Sequence, residues 1–305
     1  MLVLSFLIKS ANNLEDYSTA KRQLGIIAVA VGLTVTHFGG GFILGGAELS
    51  YKYGIYGFAY AFSAALGIFI LGILSYKIYD KAKDNKIRTV SSFLLKQYKD
   101  EKIALIASVL SILALIGIAS AQFFAAIKIF NLIGLSMELS SVFLLLIVSI
   151  VSKKGINALT SFGKYNILIA LAGVIATIFI AGNIPNLPLQ KVSYEQISFF
   201  GLLWIIIPTT LYTIIGQDFH QKIYSSKSKR IAKLACFTSA IILLILGVFP
   251  TIIGMQSRSL FNIDAYDAFP KFIAFIMPSI FKGLLIAGSV ENLFRRERLW
   301  AIALQ

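Results

Sequence analysis

The sequence predicts an all-α, polytopic membrane protein, a bundle of about eight membrane-crossing helices, and three observations predict it. The chain of 305 residues is 57% hydrophobic and only 14% charged, with a mean hydropathy of +0.81. Soluble domains run roughly 45–50% apolar and about 25% charged. The apolar residues fall in blocks of about twenty, long enough as helix to cross a hydrocarbon core of roughly 30 Å. The basic residues fall between those blocks, on alternate sides.

Taken along the chain, the blocks place spans at 24–49, 55–76, 103–130, 139–152, 165–182, 197–216, 234–255 and 272–290. Met1 to Ile8 are apolar but too few to span. They lack a basic leading region and a small-residue cleavage site, so they read as the stub of a helix, not a signal peptide. Alternation of eight spans puts 9–23, 77–102, 153–164 and 217–233 on one side, and these hold nineteen of the 28 Lys and Arg. The opposite loops hold four: Lys52, Lys191, Arg258 and Lys271. By the positive-inside rule the basic side is cytoplasmic, and the location expected is a bacterial inner membrane.

These observations exclude several classes. The single Cys236 makes no internal disulfide. The net charge of +14 resembles that of a nucleic-acid binder. It lies in short loops between apolar segments, however, so its partner is an anionic membrane face and no nucleic acid is expected. No enzyme constellation is found: no His/Cys metal spacing, no nucleophile elbow, and no phosphate loop, since the glycines from Gly39 to Gly46 lie inside a span. One membrane domain, 1–305, accounts for the chain.

Two spans are weakened near the middle. The first carries Thr36-His37-Phe38-Gly39-Gly40-Gly41 and then Gly45-Gly46. Three glycines in a row have little helix propensity and leave backbone groups available. The sixth carries Ile207-Pro208-Thr209-Thr210 and ends at Gly216-Gln217-Asp218, where proline removes a donor. Freed backbone groups are tolerated in lipid only where protein buries them or they line a cavity. Interruptions at corresponding places in two inverted halves point to a transporter's substrate site; close helix packing at the glycines is the other reading.

Several strings resemble one family. Glu15-Asp16-Tyr17 followed by Ala20, Arg22 and Leu24-Gly25 is similar to the "DYFLAGRxLG" lead-in of the sodium:solute symporters. Gly39-Gly40-Gly41-Phe42-Ile43 with Gly45, Ala47-Glu48 and Tyr51-Lys52-Tyr53-Gly54 resembles that family's first core helix. Thr89 to Leu94 resembles its "YTLPEYL" segment, and Gly216 to Lys222 with Ser225-Ser226-Lys227 its "GQDxxQRxxSAK" motif. The strings run in family order over nearly the whole chain.

The resemblance implies a LeuT-type inverted-repeat bundle, with a lead-in over 1–23, a first five-helix repeat over 24–182 and a partial second repeat over 197–290. It implies symport of a small organic solute, coupled to sodium, by alternating access, with no cofactor beyond the coupling ion. Carried over by position, the sodium ligands are the backbone carbonyls of Val35 and Phe38. The solute is expected beside Thr36, His37, Gly40, Gly41, Gln122, Phe124 and Thr209, with Tyr212 as an inner-gate residue. The glycine string is closest to the choline-transporter-like branch. A quaternary-ammonium cage needs several ring faces, and among His37, Phe124 and Thr209 only Phe124 is plainly aromatic, so choline is not favoured.

Two departures accompany the resemblance. Phe162 stands where the family's fourth helix has an aspartate. After Gly288 the family continues into "MSTADS", whose hydroxyls complete the sodium site; here Arg295 and Arg296 fall at about those positions. The change reads as a frame shift within core helix eight followed by early termination, leaving 291–305 an aberrant basic tail, the sodium site incomplete and core helices nine and ten absent. A non-transporting remnant is therefore the first alternative to a symporter, and a membrane-embedded sensor or scaffold the second. Which solute and what oligomeric state are not read from the sequence.

Single residues are weighed in the same way. His37 is either a ligand-facing group or a packed residue capping freed carbonyls. Glu48 is expected to pair with Lys52, its i+4 neighbour, and Asp218 to serve a helix end. Trp204 is expected to line lipid or core, Cys236 to be inert, and His220 to be solvated in a loop.

Overall fold

The computed structural model describes residues 18–85, 87–131, 134–151 and 193–276, with scattered positions between 167 and 179. Among these residues there is no strand; the one bridge, Leu24 to Ser226, joins two loops. Ten helices follow in order: α1 Ile26–His37, α2 Gly40–Tyr53, α3 Ala59–Asp84, α4 Val90–Tyr98, α5 Glu101–Asn131, α6 Met137–Val151, α7 Phe199–Ile215, α8 Gln217–Tyr224, α9 Lys229–Leu260 and α10 Ala268–Ile276. By length and composition, Gly40–Asp84, Glu101–Lys128, Phe199–Tyr224 and Lys229–Leu260 are stretches able to cross a membrane. The expectations on 153–164, on most of 165–182 and beyond 276 fall outside the described residues.

Contacts define two ends. At the basic end, Leu24 N–H donates to the Ser225 carbonyl (3.0 Å) and Lys229 pairs with Asp80 (2.9 Å). At the opposite end, Tyr51 Oη donates to the Phe261 carbonyl (2.9 Å) and Glu195 N–H to that of Lys52 (2.9 Å). The path α1–α2 therefore runs from the basic end to the opposite one, and α7–α8 runs back. A 3-10 turn at Gly54–Phe58 reverses the chain into α3. Gly54, at φ +61, adopts the left-handed conformation that favours glycine.

The core is a seam of α9 against α3, α2 and α1. Val29, Leu33, Phe42, Ala64, Ile68, Leu71, Leu243 and Leu246 are all buried there. Outward faces stay apolar and exposed, as lipid requires: Trp204 is 81% exposed, with Phe199, Phe200, Leu211 and Ile215 on the same helix.

Two short helices sit where the sequence suggested loops. Thr89 starts α4 by a capping box: its Oγ1 accepts from the Ser92 N–H (3.1 Å), and Ser92 Oγ accepts from the Thr89 N–H (3.1 Å). The other, α8, is buried from Gln217 to Tyr224. His220 is therefore not solvated. Its ring lies between the Ile214 carbonyl (2.8 Å) and the Tyr224 hydroxyl (3.2 Å), because α8 lies beneath the end of α7 and against α1 and α3.

Candidate functional site

The first span is interrupted where the glycines predict. Phe38 N–H still donates to the Thr34 carbonyl (2.9 Å), but the Gly39 amide, which would continue α1 by bonding to Val35, turns back to the His37 carbonyl (2.8 Å). The first bond of α2 runs from Ile43 N–H to the Gly39 carbonyl (3.0 Å). The Val35 carbonyl thus loses its i+4 amide, and the Phe38 carbonyl precedes the next ladder. Both residues are buried. Carbonyl oxygens at the negative end of α1 are hard, neutral ligands of the kind a small cation takes.

The glycines also pack. A Cβ on Gly39 would sit 2.8 Å from Gln122 Oε1, one on Gly40 2.8 Å from Ala125 Cβ, and one on Gly41 2.9 Å from Gln122 Nε2. Gln122, buried on α5, accepts the Gly41 N–H at Oε1 (3.1 Å), satisfying one of the orphan donors at the start of α2. Close approach and liberated backbone are therefore two aspects of one arrangement. Thr36 donates its hydroxyl to the Gly32 carbonyl (2.8 Å) within α1.

Pro208 does not interrupt its span. α7 continues through it to Ile215, since proline removes a single donor and the remaining ladder bonds hold. The break lies at Gly216, whose extended backbone separates α7 from α8. A Cβ there would meet Asp218 Oδ1 and the Tyr212 carbonyl, each at 2.8 Å. Asp218 closes the turn: Oδ1 accepts the Phe219 N–H (3.2 Å) and Oδ2 accepts the Tyr212 hydroxyl (3.0 Å). The helix-end role expected of Asp218 is what the geometry shows.

His37 joins the two breaks. Its Nε2 lies 2.8 Å from Thr213 Oγ1, and its ring packs on Phe219 with centroids 4.7 Å apart. Thr213 has one hydroxyl hydrogen and donates it to the Thr209 carbonyl (2.7 Å), so His37 Nε2–H is the donor to Thr213. Thr36, His37, Gly40, Gly41 and Gln122 are brought together at the first break; the Tyr212 carbonyl accepts the Gly216 amide at the second, and the Thr209 carbonyl, seven residues before Gly216, accepts the Thr213 hydroxyl. Phe124 is not brought in. It is 54% exposed, on the face of α5 turned away from Gln122 and Ala125. Glu48 and Lys52 pair at 2.9 Å, as expected of i+4 neighbours.

Sequence reasoning missed Thr213 and Phe219, and although it ended the sixth span at Gly216 it read the interruption at Pro208. Glycine directly before Gln217-Asp218 is a helix-start signal, and the nearby proline drew the attention instead. It also missed how the motifs meet at the basic end. Arg22 donates to the carbonyls of Tyr224 (3.2 Å), Ala82 (3.2 Å) and Ile87 (2.8 Å). Gln221 Nε2 donates to the Ser18 carbonyl (2.8 Å), and Gln217 Oε1 accepts the Val90 N–H (2.5 Å).

Residues 17–182, more than half of the chain, match the sodium:solute symporter family. The chain belongs to that family. Its fold is also that of a solved Na+-coupled sialic acid symporter in a substrate-bound, outward-open state, at a TM-score of 0.78 and 17% identity. The alignment covers 99% of this chain and 68% of that one. No curated protein matches this symporter-family chain. Family and fold are those of a multi-pass membrane transporter, not of an enzyme.

Proposed function

We propose that this chain is a secondary active transporter that carries a small organic solute together with sodium, by alternating access. The observation that carries the reading is the interruption between His37 and Gly40, where the Gly39 amide abandons the Val35 carbonyl for that of His37. Sodium enters as cargo, coordinated by the Val35 and Phe38 carbonyls. The solute lies beside the glycines, against Gln122, whose Oε1 is committed to Gly41 and whose Nε2 hydrogens suit a carboxylate or carbonyl acceptor. Thr36, His37 and Thr209 complete that side, and Tyr212, whose hydroxyl bonds Asp218, takes the inner-gate role.

The interrupted paths α1–α2 and α7–α8 run in opposite directions, which supports the two-repeat plan with 24–182 as one repeat and 197–290 as part of the other. The basic end faces the cytoplasm, the sidedness that the loop charges favour. Amino acids, betaine or choline, and carboxylates, including the sialic acid of the structural neighbour, are the solutes to try.

The test is uptake into proteoliposomes holding the purified chain, with an inward sodium gradient against an equal potassium gradient. Sodium-stimulated accumulation of one solute from that panel is the expected result. Sodium-independent behaviour toward every member, in both flux and binding, would sink the reading.

A further inference from the structure

We propose that the seam between α3 and α9 at the basic end holds the headgroup phosphate of an anionic phospholipid, with Lys233 as the selecting contact. The Lys233 ammonium lies between two rings, 5.4 Å from the Tyr76 centroid and 5.7 Å from that of Phe237. Lys229, one turn earlier, approaches the same Tyr76 ring at 5.6 Å, but its charge is matched by Asp80 at 2.9 Å. The ion pairs among the described residues are Lys52–Glu48, Lys128–Asp267 and Lys229–Asp80. Lys233 is in none of them, nor are its exposed neighbours Lys227 and Arg230. Among the described residues, Asp84 adds its negative charge to that of Asp80 beside Lys229.

Depth argues for lipid. A helix of 32 residues is about 48 Å long, against a hydrocarbon core of roughly 30 Å. The first turns of α9 therefore stand at headgroup level, where an ammonium snorkels and a tyrosine belongs. Beyond Lys233 the seam becomes apolar: Phe69 packs on Phe237 (5.1 Å), and Phe69, Ile73, Leu234 and Ile241 are exposed, a surface suited to acyl chains. A zwitterionic lipid brings its own cation beside the phosphate. An anionic one brings uncompensated negative charge to a corner with excess cations, which is what complementarity favours.

The full-length chain, reconstituted in mixed phosphatidylglycerol and phosphatidylcholine and released for native mass spectrometry, reports which lipid it keeps. Wild type is expected to retain phosphatidylglycerol several-fold over its share. Lys233→Gln is expected to abolish that preference and Lys233→Arg to keep it. Tyr76→Ala is expected to weaken it without changing charge. Lys96→Gln, which removes the same charge from exposed α4 at the same end, is expected to leave it intact. Equal losses in Lys233→Gln and Lys96→Gln would overturn the proposal in favour of diffuse charge. Displacement of the retained lipid by inorganic phosphate would overturn it in favour of a free anion. Neither readout depends on transport.

Discussion

The two interruptions differ in what satisfies them. At Gly216 the side chains of α8 do the closing: Asp218 takes the Phe219 amide and the Tyr212 hydroxyl, His220 bonds the Ile214 carbonyl and the Tyr224 hydroxyl, and Gln217 takes the Val90 amide of α4. At Phe38–Gly39 the neighbour α5 satisfies a donor, the Gly41 amide, through Gln122, while the Val35 carbonyl loses its helical partner. A break closed by its own side chains works as a joint. On the function proposed above, a cation offsets the acceptors left at the first break, because a buried carbonyl without a partner costs free energy until something binds it.

The sharpest way to break that distinction is to fill the first interruption. Gly40→Leu drives a side chain into Ala125 and Gln122, an overpacking that costs about 1–3 kcal/mol. It should lower the unfolding temperature in detergent and abolish sodium-stimulated uptake. Next comes the joint. Asp218→Ala removes the charged acceptor of the Tyr212 hydroxyl and one of the two acceptors of the Phe219 amide, which also bonds the Gly216 carbonyl, a loss of about 1–3 kcal/mol on the scale of hydrogen bonds to a charged group; Asp218→Asn, which keeps an acceptor, should recover part of that in the same melt.

A smaller effect is expected at the donor that α5 satisfies. Gln122→Met conserves shape but removes the acceptor of the Gly41 amide, about 1 kcal/mol on the scale of a lost helix cap. If the solute lies there, its apparent affinity should fall by more than the melt alone suggests. Pro208→Ala is expected to leave uptake unchanged and stability within about 0.5 kcal/mol or slightly higher, since α7 is already continuous. Loss of transport in that variant would move the second interruption back to the proline. Smallest of all, Glu48→Gln removes a partly exposed i+4 pair, roughly 0.3–0.5 kcal/mol, and should barely move the melt.

Much of this architecture was legible. The glycine run at 39–41 marked the first interruption because three residues without Cβ both weaken a helix and admit a neighbour, and both consequences are seen. The Glu48–Lys52 pair and the helix-end aspartate followed from local spacing alone. The errors share a cause. Pro208 was read as the break from its covalent chemistry, yet one missing donor is a local defect that the flanking ladder tolerates. Gly216 breaks the helix because Asp218, Gln217 and the α4 segment give the chain somewhere else to bond. His220 was read as solvated because it falls in a loop between two apolar blocks; α8 is buried, and Arg22, 202 positions away from Tyr224 along the chain, ties the lead-in across its end. Phe124 was placed by alignment of position, and a helix face differs by 100° for each residue of misregister.

What the order of residues established was a multi-pass membrane protein and the place where the first span comes apart. Hydrophobic length, loop charge and consecutive glycines are properties of neighbours along a chain and survive any folding. What the packed bundle added was the second interruption, the His37–Thr213 hydrogen bond and the Gln122 cap. The last two join groups 176 and 81 positions apart, and a hydrogen bond is decided by the distance left between them once the helices have found one another.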